Sequence, residues 1–176
     1  MEAMHPAAPA STFLKGVSAT VVVLLLGASV LLLATLPSGP ARLLAALPPL
    51  IVLTAALFAV RGYAVRGNTL LVQRPLWVTR VDLGELQSAA TAAGAGARSL
   101  RLLGNGGLFV FCGWFRNAEL GRFRAFVTDW QRAVVIRASR QTVVISPADP
   151  AGFVRALQPR RSRPDKQRNP ARRHVL

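Results

Sequence analysis

Two long uncharged apolar segments near the N-terminus constrain this chain more than any other feature. Residues 16–36 and 43–60 carry no charged side chain. At about 1.5 Å rise per residue, the first would span roughly 30 Å as a helix, which is the thickness of a bilayer core. Between them, the turn Pro37-Ser38-Gly39-Pro40 would end a helix because proline lacks the amide hydrogen. The pattern predicts two transmembrane helices joined by a short extracytoplasmic loop at residues 37–42.

Two other interpretations of these segments are weaker. A cleaved signal peptide would also place a basic residue, here Lys15, before an apolar run. Its apolar core is usually 7–15 residues long, however, and no second span is expected directly after it. The other interpretation of the second segment is a buried helix of a soluble protein, and the length, the all-round hydrophobicity and the charged ends of the segment argue against it.

The basic residues that flank the segments predict the orientation. The connecting loop contains Arg42, whereas the other flanks carry Lys15, Arg61, Arg66, Arg74 and Arg80. Loops rich in lysine and arginine stay in the cytoplasm. We therefore expect a multi-pass protein of the inner (cytoplasmic) membrane, with residues 1–15 and everything after residue 60 in the cytoplasm.

The composition argues against a cofactor, a metal site or an enzyme. The chain has one cysteine, Cys112, and its two histidines, His5 and His174, lie close to the termini. A disulfide, a cysteine-ligated zinc site and a serine–histidine pair are therefore not expected. The acidic residues fall in turns or beside arginines, so solvated roles explain them. We expect no catalytic residue, no metal, no cofactor and no small-molecule substrate.

Residues 61–158 change to short alternating runs that predict a small β domain of about seven strands. Gly67-Asn68 suits a hairpin turn, and Asp149-Pro150 suits the start of a C-terminal helix. Residues 83–87 are predicted as a turn or short helix, 89–97 as a loop, and the glycine run at 104–107 as a hairpin turn. A bent barrel closed by one helix is the expected fold.

The chain resembles bacterial membrane proteins with a pleckstrin-homology (PH) domain. The resemblance rests on Tyr63-Ala64-Val65 with Leu70-Leu71-Val72-Gln73-Arg74, on Gly104-Asn105-Gly106-Gly107-Leu108-Phe109, Gly113-Trp114-Phe115, Leu120-Gly121-Arg122 and Phe126-Val127-Thr128-Asp129, and on Val143 to Phe153. It covers about 61–157 and implies a seven-stranded bent barrel with one capping helix. It also implies a role in assembly more often than in lipid binding, and it supplies no catalytic residues.

The last segment, residues 159–176, is basic, rich in proline and almost without apolar side chains. Such a composition cannot form a core and predicts disorder. The candidate contacts to lipid or phosphate are Arg160, Arg161, Arg163, Lys166, Arg168, Arg172 and Arg173. Attraction to anionic lipid is favoured over nucleic acid because the membrane anchor already holds the tail near the bilayer.

Two further candidate sites lie in the β domain. Arg116, Asn117, Arg122 and Arg124 are predicted as a surface for a protein partner or for self-association. Trp77, close to the membrane exit, is the candidate interfacial anchor. Together these features predict a non-enzymatic interaction or scaffolding module at the cytoplasmic membrane surface. The alternative is a small accessory subunit of a larger transport or envelope complex, recognised through its transmembrane hairpin.

Overall fold

The computed structural model describes residues 4–157. Helix α1 covers Thr12–Thr35, and a 3₁₀ segment at Pro40–Ala46 continues into helix α2 at Leu47–Leu57. Both helical stretches are long and apolar enough to cross a membrane. A 3₁₀ helix rises about 2.0 Å per residue, so the second stretch also spans about 30 Å although it is the shorter of the two.

Ten strands and a third helix complete the described residues. Strand β1 (His5–Pro6) precedes α1; after α2 come β2 (Gly62–Arg66), β3 (Thr69–Gln73), β4 (Val78–Asp82), β5 (Leu86–Thr91), β6 (Leu100–Leu108), β7 (Val110–Asn117), β8 (Gly121–Val127), β9 (Val134–Ala138), β10 (Thr142–Ile145) and helix α3 (Pro150–Leu157). This architecture confirms the predicted fold class of two apolar helices followed by a mainly β domain with a C-terminal helix.

The strands form two sheets that pack around a main core. The smaller sheet has the order β1-β2-β3-β4 and the larger one β5-β9-β10-β8-β7-β6. All neighbours are antiparallel except β8 and β10, which are parallel. Tyr63 and Leu70 from the smaller sheet, Phe126 and Ile136 from the larger sheet, and Phe153 from α3 are buried together. The opposite face of the larger sheet carries a second core around Phe123, covered in part by Ala95 and Trp130.

Several local predictions agree with the structure. The hairpin of β2 and β3 turns at Gly67 and Asn68, where Gly67 has a φ of 56° that suits glycine. The amide of Gly152 donates a hydrogen bond to the Asp149 carboxylate over 2.9 Å, as expected for the N-cap of α3. The buried Phe153 then anchors this helix on the main core.

One strand replaces part of two segments that the sequence predicts as irregular. Residues 83–87 are predicted as a turn or short helix and 89–97 as a loop, but β5 takes residues 86–91 and pairs with β9, whereas residues 92–97 form turns as predicted. Its alanines and polar residues give little strand signal, and the pairing with β9 supplies the missing stabilisation.

The glycine run at 104–107 lies within β6, and the turn to β7 occurs at Phe109, which has a φ of 64°. Gly104 and Gly113 face each other there, so the two backbones approach closely.

The segment before α1 is part of the β domain. The amide of Ala7 donates to the carbonyl of Arg61 over 3.0 Å, and that of Ala8 donates to Ser146 over 2.7 Å. The amide of Ser11 donates to Thr128 over 3.1 Å. Residues 4–11 therefore join β2 of the smaller sheet to the ends of β8 and β10. The start of α1 and the end of α2 are both fixed to the same side of the domain.

Candidate functional site

The register of β7 and β8 gathers basic and aromatic side chains on one face of the larger sheet. Trp114 lies opposite Arg124, and Arg116 lies opposite Arg122. Residues that face each other in an antiparallel pair point to the same side of the sheet. We call these four residues the cationic face. Three of the four residues predicted as a partner surface are thus brought together, and Trp114 joins them.

The arginines of the cationic face stack on aromatic rings. The guanidinium carbon of Arg122 lies 4.3 Å from the centre of the Trp114 ring. That of Arg124 lies 6.0 Å from Trp114 and 5.0 Å from Phe126. These distances are within the range of cation–π contacts, which orient an arginine without neutralising it. No carboxylate within residues 4–157 forms an ion pair with either arginine. Their charges are therefore open to an anionic group.

Asn117 has a different position from the three arginines. Its side-chain amide donates to the carbonyl of Ala95 over 2.9 Å and to the Ser99 hydroxyl over 3.1 Å. Its carbonyl oxygen accepts from the amide of Leu120 over 2.7 Å. These bonds hold the connection between β5 and β6 against the turn between β7 and β8. Asn117 thus has a structural role that occupies its polar atoms.

Trp77 lies where α2 enters the β domain. Its ring meets the Phe58 ring edge to face, with 5.3 Å between the ring centres, and 38% of the residue is exposed. Leu76 beside it is 74% exposed. An aromatic ring at this junction has the position expected of an interfacial anchor, and that role remains a prediction.

Arg74 is the residue at this junction that sequence reasoning missed. It is 5% exposed, and its guanidinium donates to the Phe58 carbonyl at the end of α2, to the Thr79 hydroxyl over 2.8 Å and to the Cys112 sulfur over 3.1 Å. The rings of Phe58, Trp77 and Phe126 lie 5.2 to 5.9 Å from it. The positive charge also suits the negative end of the α2 dipole. Arg74 thereby fastens α2 to both sheets.

Beside Arg74, an open groove separates α2 from the hairpin of β6 and β7. Its volume is about 780 Å³, and we call it the junction groove. It is lined by apolar side chains of α2, by residues of the hairpin and by one charged residue: Leu50, Ile51, Thr54, Ala55, Phe58, Leu103, Gly104, Asn105, Leu108, Cys112, Gly113, Trp114 and Arg124. The volume is in the range of sites for small ligands, about 300–1,000 Å³. The groove is mainly apolar, and its one charged lining residue, Arg124, belongs to β8.

Comparison with known protein families identifies the β domain. Residues 61–161 match the bacterial PH domain family, which is more than half of the chain. The chain belongs to the bacterial PH domain family. Comparisons with curated proteins and with solved structures gave no match. Strand β1 and both apolar helices lie outside the range that matches the family, so this PH domain takes one strand from the segment before α1.

A buried hydroxyl cluster joins this added strand to the rest of the PH domain. The Tyr63 hydroxyl donates to the Phe126 carbonyl over 2.7 Å and accepts from the Ser146 amide over 3.3 Å. The Thr128 hydroxyl donates to the Ala8 carbonyl over 2.7 Å and lies 3.0 Å from the Ser146 hydroxyl. All three hydroxyl-bearing residues are buried, at 0–5% exposure. The cluster is thus closed to substrates and is a structural element.

Burial also perturbs the acid–base behaviour of this cluster. The loss of solvent raises the pKa of Tyr63 to about 12, although the Ser146 hydrogen bonds and the nearby Arg74 act in the opposite direction. Tyr63 is therefore protonated and able to donate its hydrogen bond at any physiological pH.

The last group of predicted contacts is the set of basic residues near the C-terminus. The basic residues at 160–173 lie outside the described residues. Within residues 4–157, no group of three or more histidine, cysteine or acidic side chains could hold a metal ion. One sequence signal could have indicated that Arg74 is buried. It lies directly after β3 and is followed by the apolar residues Pro75, Leu76 and Trp77, so a single charged side chain is placed beside an apolar run.

Proposed function

We propose that this protein is a non-enzymatic, membrane-anchored interaction module that presents its PH domain to a protein partner at the cytoplasmic face of the inner membrane. The two apolar helices fit membrane association, and PH domains of this family are generally non-catalytic. The cytoplasmic orientation rests on the distribution of basic residues around the helices. The basic tail would add attraction to anionic lipid.

The observation that carries this proposal is an exposed apolar edge beside the cationic face. Leu100 and Leu103 on β6 are 72% and 70% exposed. They lie opposite Arg116 and Trp114 on β7, so they share the face with the arginines. Strand β6 is also an outer strand of the larger sheet, with backbone groups open to a further strand. An exposed apolar patch bordered by charges is typical of a protein-interaction site.

The chemistry of this surface defines the kind of partner. Arg116 and Arg122 face each other across two strands, and like charges in that position repel unless an anion lies between them. A partner segment with acidic side chains would relieve the repulsion, and its apolar side chains would cover Leu100. The partner we expect is therefore a protein with an acidic and apolar segment.

Site-specific photo-crosslinking in cells tests this function. A photoreactive residue at Leu100 of the full chain should give one discrete protein adduct, which the double change Arg116→Glu and Arg122→Glu removes. The photoreactive residue at the exposed Gln131 is the positional control, and the double change Arg137→Glu and Arg155→Glu, at two other exposed arginines, is the matched charge control. Crosslinks to lipid alone at Leu100, or an adduct that survives the double change, would contradict the proposal.

The same experiment separates this function from that of an accessory subunit recognised through its helices. Leu31 on α1 is 62% exposed and lies 13 residues along the helix from Ser18, which contacts the β domain. If crosslinks to protein form at Leu31 and none form at Leu100, the helices recruit the partner. A reporter fused after Leu176 tests the orientation independently, and a periplasmic signal would overturn it.

A further inference from the structure

We infer that the junction groove binds one anionic phospholipid from the leaflet next to the PH domain. This inference goes beyond the proposed function. The groove shares Leu103, Trp114 and Arg124 with the surface described above, but it does not include Leu100, Arg116 or Arg122. The lipid phosphate would lie at Arg124, and the beginning of one acyl chain would lie along α2 between Leu50 and Phe58.

The polarity of the groove matches that of a phospholipid. Its α2 wall runs from Leu50 to Phe58, which is about two helical turns or roughly 12 Å. Leu50 and Ile51 are 57% and 53% exposed, so the groove is open on the side that faces a bilayer. Toward Leu50 the α2 wall is apolar, as an acyl chain requires.

The charge lies at the opposite end of the α2 wall. The Phe58 ring contacts Arg74, and the Arg74 guanidinium is 5.6 Å from the Phe126 ring. The Arg124 guanidinium lies 5.0 Å from the same Phe126 ring. This chain of contacts places Arg124 near the domain end of α2. An arginine at that end can bind a phosphate through two parallel hydrogen bonds.

The hairpin of β6 and β7 sets the depth of the groove. Its tip is fixed to α1, where the Ser18 hydroxyl donates to the Gly107 carbonyl over 3.2 Å and accepts from the Phe109 amide over 2.9 Å. Ser18 lies six residues after the first residue of α1, which is about 9 Å along the helix. The groove beside this hairpin is therefore level with the first turns of α1 and the last turns of α2, where lipid headgroups and chains would meet.

Charge complementarity favours lipid over a second copy of the chain. A second copy would bring its own net charge of +15 against Arg124. Water alone would leave about two turns of apolar side chains on α2 exposed. An anionic phospholipid satisfies the charge and covers the apolar wall at the same time.

Native mass spectrometry of the purified full chain in detergent tests this inference. The probes are phosphatidylglycerol, phosphatidylcholine and glycerol phosphate, added at high salt so that exposed basic residues are screened. We expect one bound phosphatidylglycerol with about fivefold higher affinity than phosphatidylcholine, because one basic residue contributes about that factor. Arg124→Gln should remove this preference, whereas the exposed Arg137→Gln should keep it. Glycerol phosphate lacks an acyl chain and should not bind.

A second variant separates the two parts of the groove. Thr54→Trp should fill the apolar wall and lower the affinity for both phospholipids while Arg124 remains in place. Equal binding of both lipids by the unchanged protein, or an undiminished preference in Arg124→Gln, would overturn the inference. A co-purifying protein or a second copy in the groove would also overturn it. None of these results depends on the crosslinking at Leu100, so the two proposals can fail separately.

Discussion

Arg74 illustrates how one side chain joins the apolar helices to the β domain. A buried arginine is costly unless its donors are satisfied. Here the backbone of α2, a hydroxyl of β4 and a sulfur of β7 accept its hydrogen bonds, and three aromatic rings surround it. The sequence predicts Arg74 only as a charge that marks the cytoplasmic flank. Its packing depends on Cys112, 38 positions away, and on Phe126, still farther along the chain, which no local pattern reveals.

Replacing Arg74 tests this junction. Arg74→Met should lower the free energy of unfolding in detergent by about 2–4 kcal/mol, because it leaves buried acceptors without a donor. Arg137→Met, at an exposed position, should change it by less than about 0.5 kcal/mol. Urea unfolding followed by tryptophan fluorescence measures both. Similar values for the two variants would show that Arg74 does not fasten α2 to the domain.

Tyr63 provides a spectroscopic test of the buried hydroxyl cluster. It is the one tyrosine of the chain, so absorbance at alkaline pH reports on its phenolate alone. In the folded protein we expect the ionisation at a pKa of about 12, whereas denatured protein should ionise near pH 10. Ionisation near pH 10 in the folded state would contradict the burial of this hydroxyl.

The raised pKa of Tyr63 also predicts how the free energy of unfolding depends on pH. Because the folded-state pKa is above the unfolded one, the unfolded chain releases the Tyr63 proton first as the pH rises. The contribution of Tyr63 is complete below pH 10 and is lost between about pH 10 and 12, with a total of roughly 3 kcal/mol. Tyr63→Phe should lose this dependence, as measured by urea unfolding at several alkaline pH values.

At the scale of elements, the sequence predicts those whose signal is local. The turn at Gly67 and Asn68 and the cap at Asp149 depend on neighbouring residues and are confirmed. Strand β5 depends on its partner β9, and β1 has two residues, one of them proline. Strand β5 has no regular alternation of apolar and polar residues, and β1 is too short to show one. The cationic face could be predicted in part because its three arginines lie close together in sequence. The junction groove could not be predicted, because its walls come from α2 and β6, which are distant in sequence.

The connection between β5 and β6 offers a test at this scale. A methyl group at Gly96 would overlap the Trp130 ring, whereas one at Gly94 would meet open space. Gly94 has a φ of 74°, so alanine there also carries backbone strain, and Gly16, with free space on α1, is the cleaner control. Gly96→Ala should lower the free energy of unfolding by about 1–3 kcal/mol and expose Trp130. An unchanged tryptophan spectrum would contradict the packing.

At the scale of the whole molecule, the PH domain is complete only with residues 4–11. This segment closes the seam between the sheets, and it lies outside the range that matches the family. The two apolar helices therefore form an insertion between one strand of the domain and the others. This arrangement explains why α1 begins and α2 ends on the same side of the domain.

A soluble variant tests this arrangement. A chain that joins residue 11 to residue 59 through a flexible linker of about eight residues should fold and protect the amides of Ala7, Ala8 and Ser11 from hydrogen exchange. A chain that starts at residue 59 should be less stable by several kcal/mol, because the hydroxyl cluster loses its partner at Ala8. Equal stability of the two chains would show that the segment is dispensable.

The contacts of residues 4–11 would also make the folding of the domain depend on the proposed insertion of the two helices. Residues 5 and 6 are synthesised first, but their partners at Gly62 and Ala148 follow both helices. If one helix failed to cross the bilayer, the segment and the domain would end on opposite sides of it, and the seam would stay open. An open seam exposes buried apolar surface, which quality-control proteases recognise. If the helices span the bilayer as proposed, we therefore expect correct topology to be a condition for a stable domain, and we expect misinserted copies to be degraded faster than correctly inserted ones.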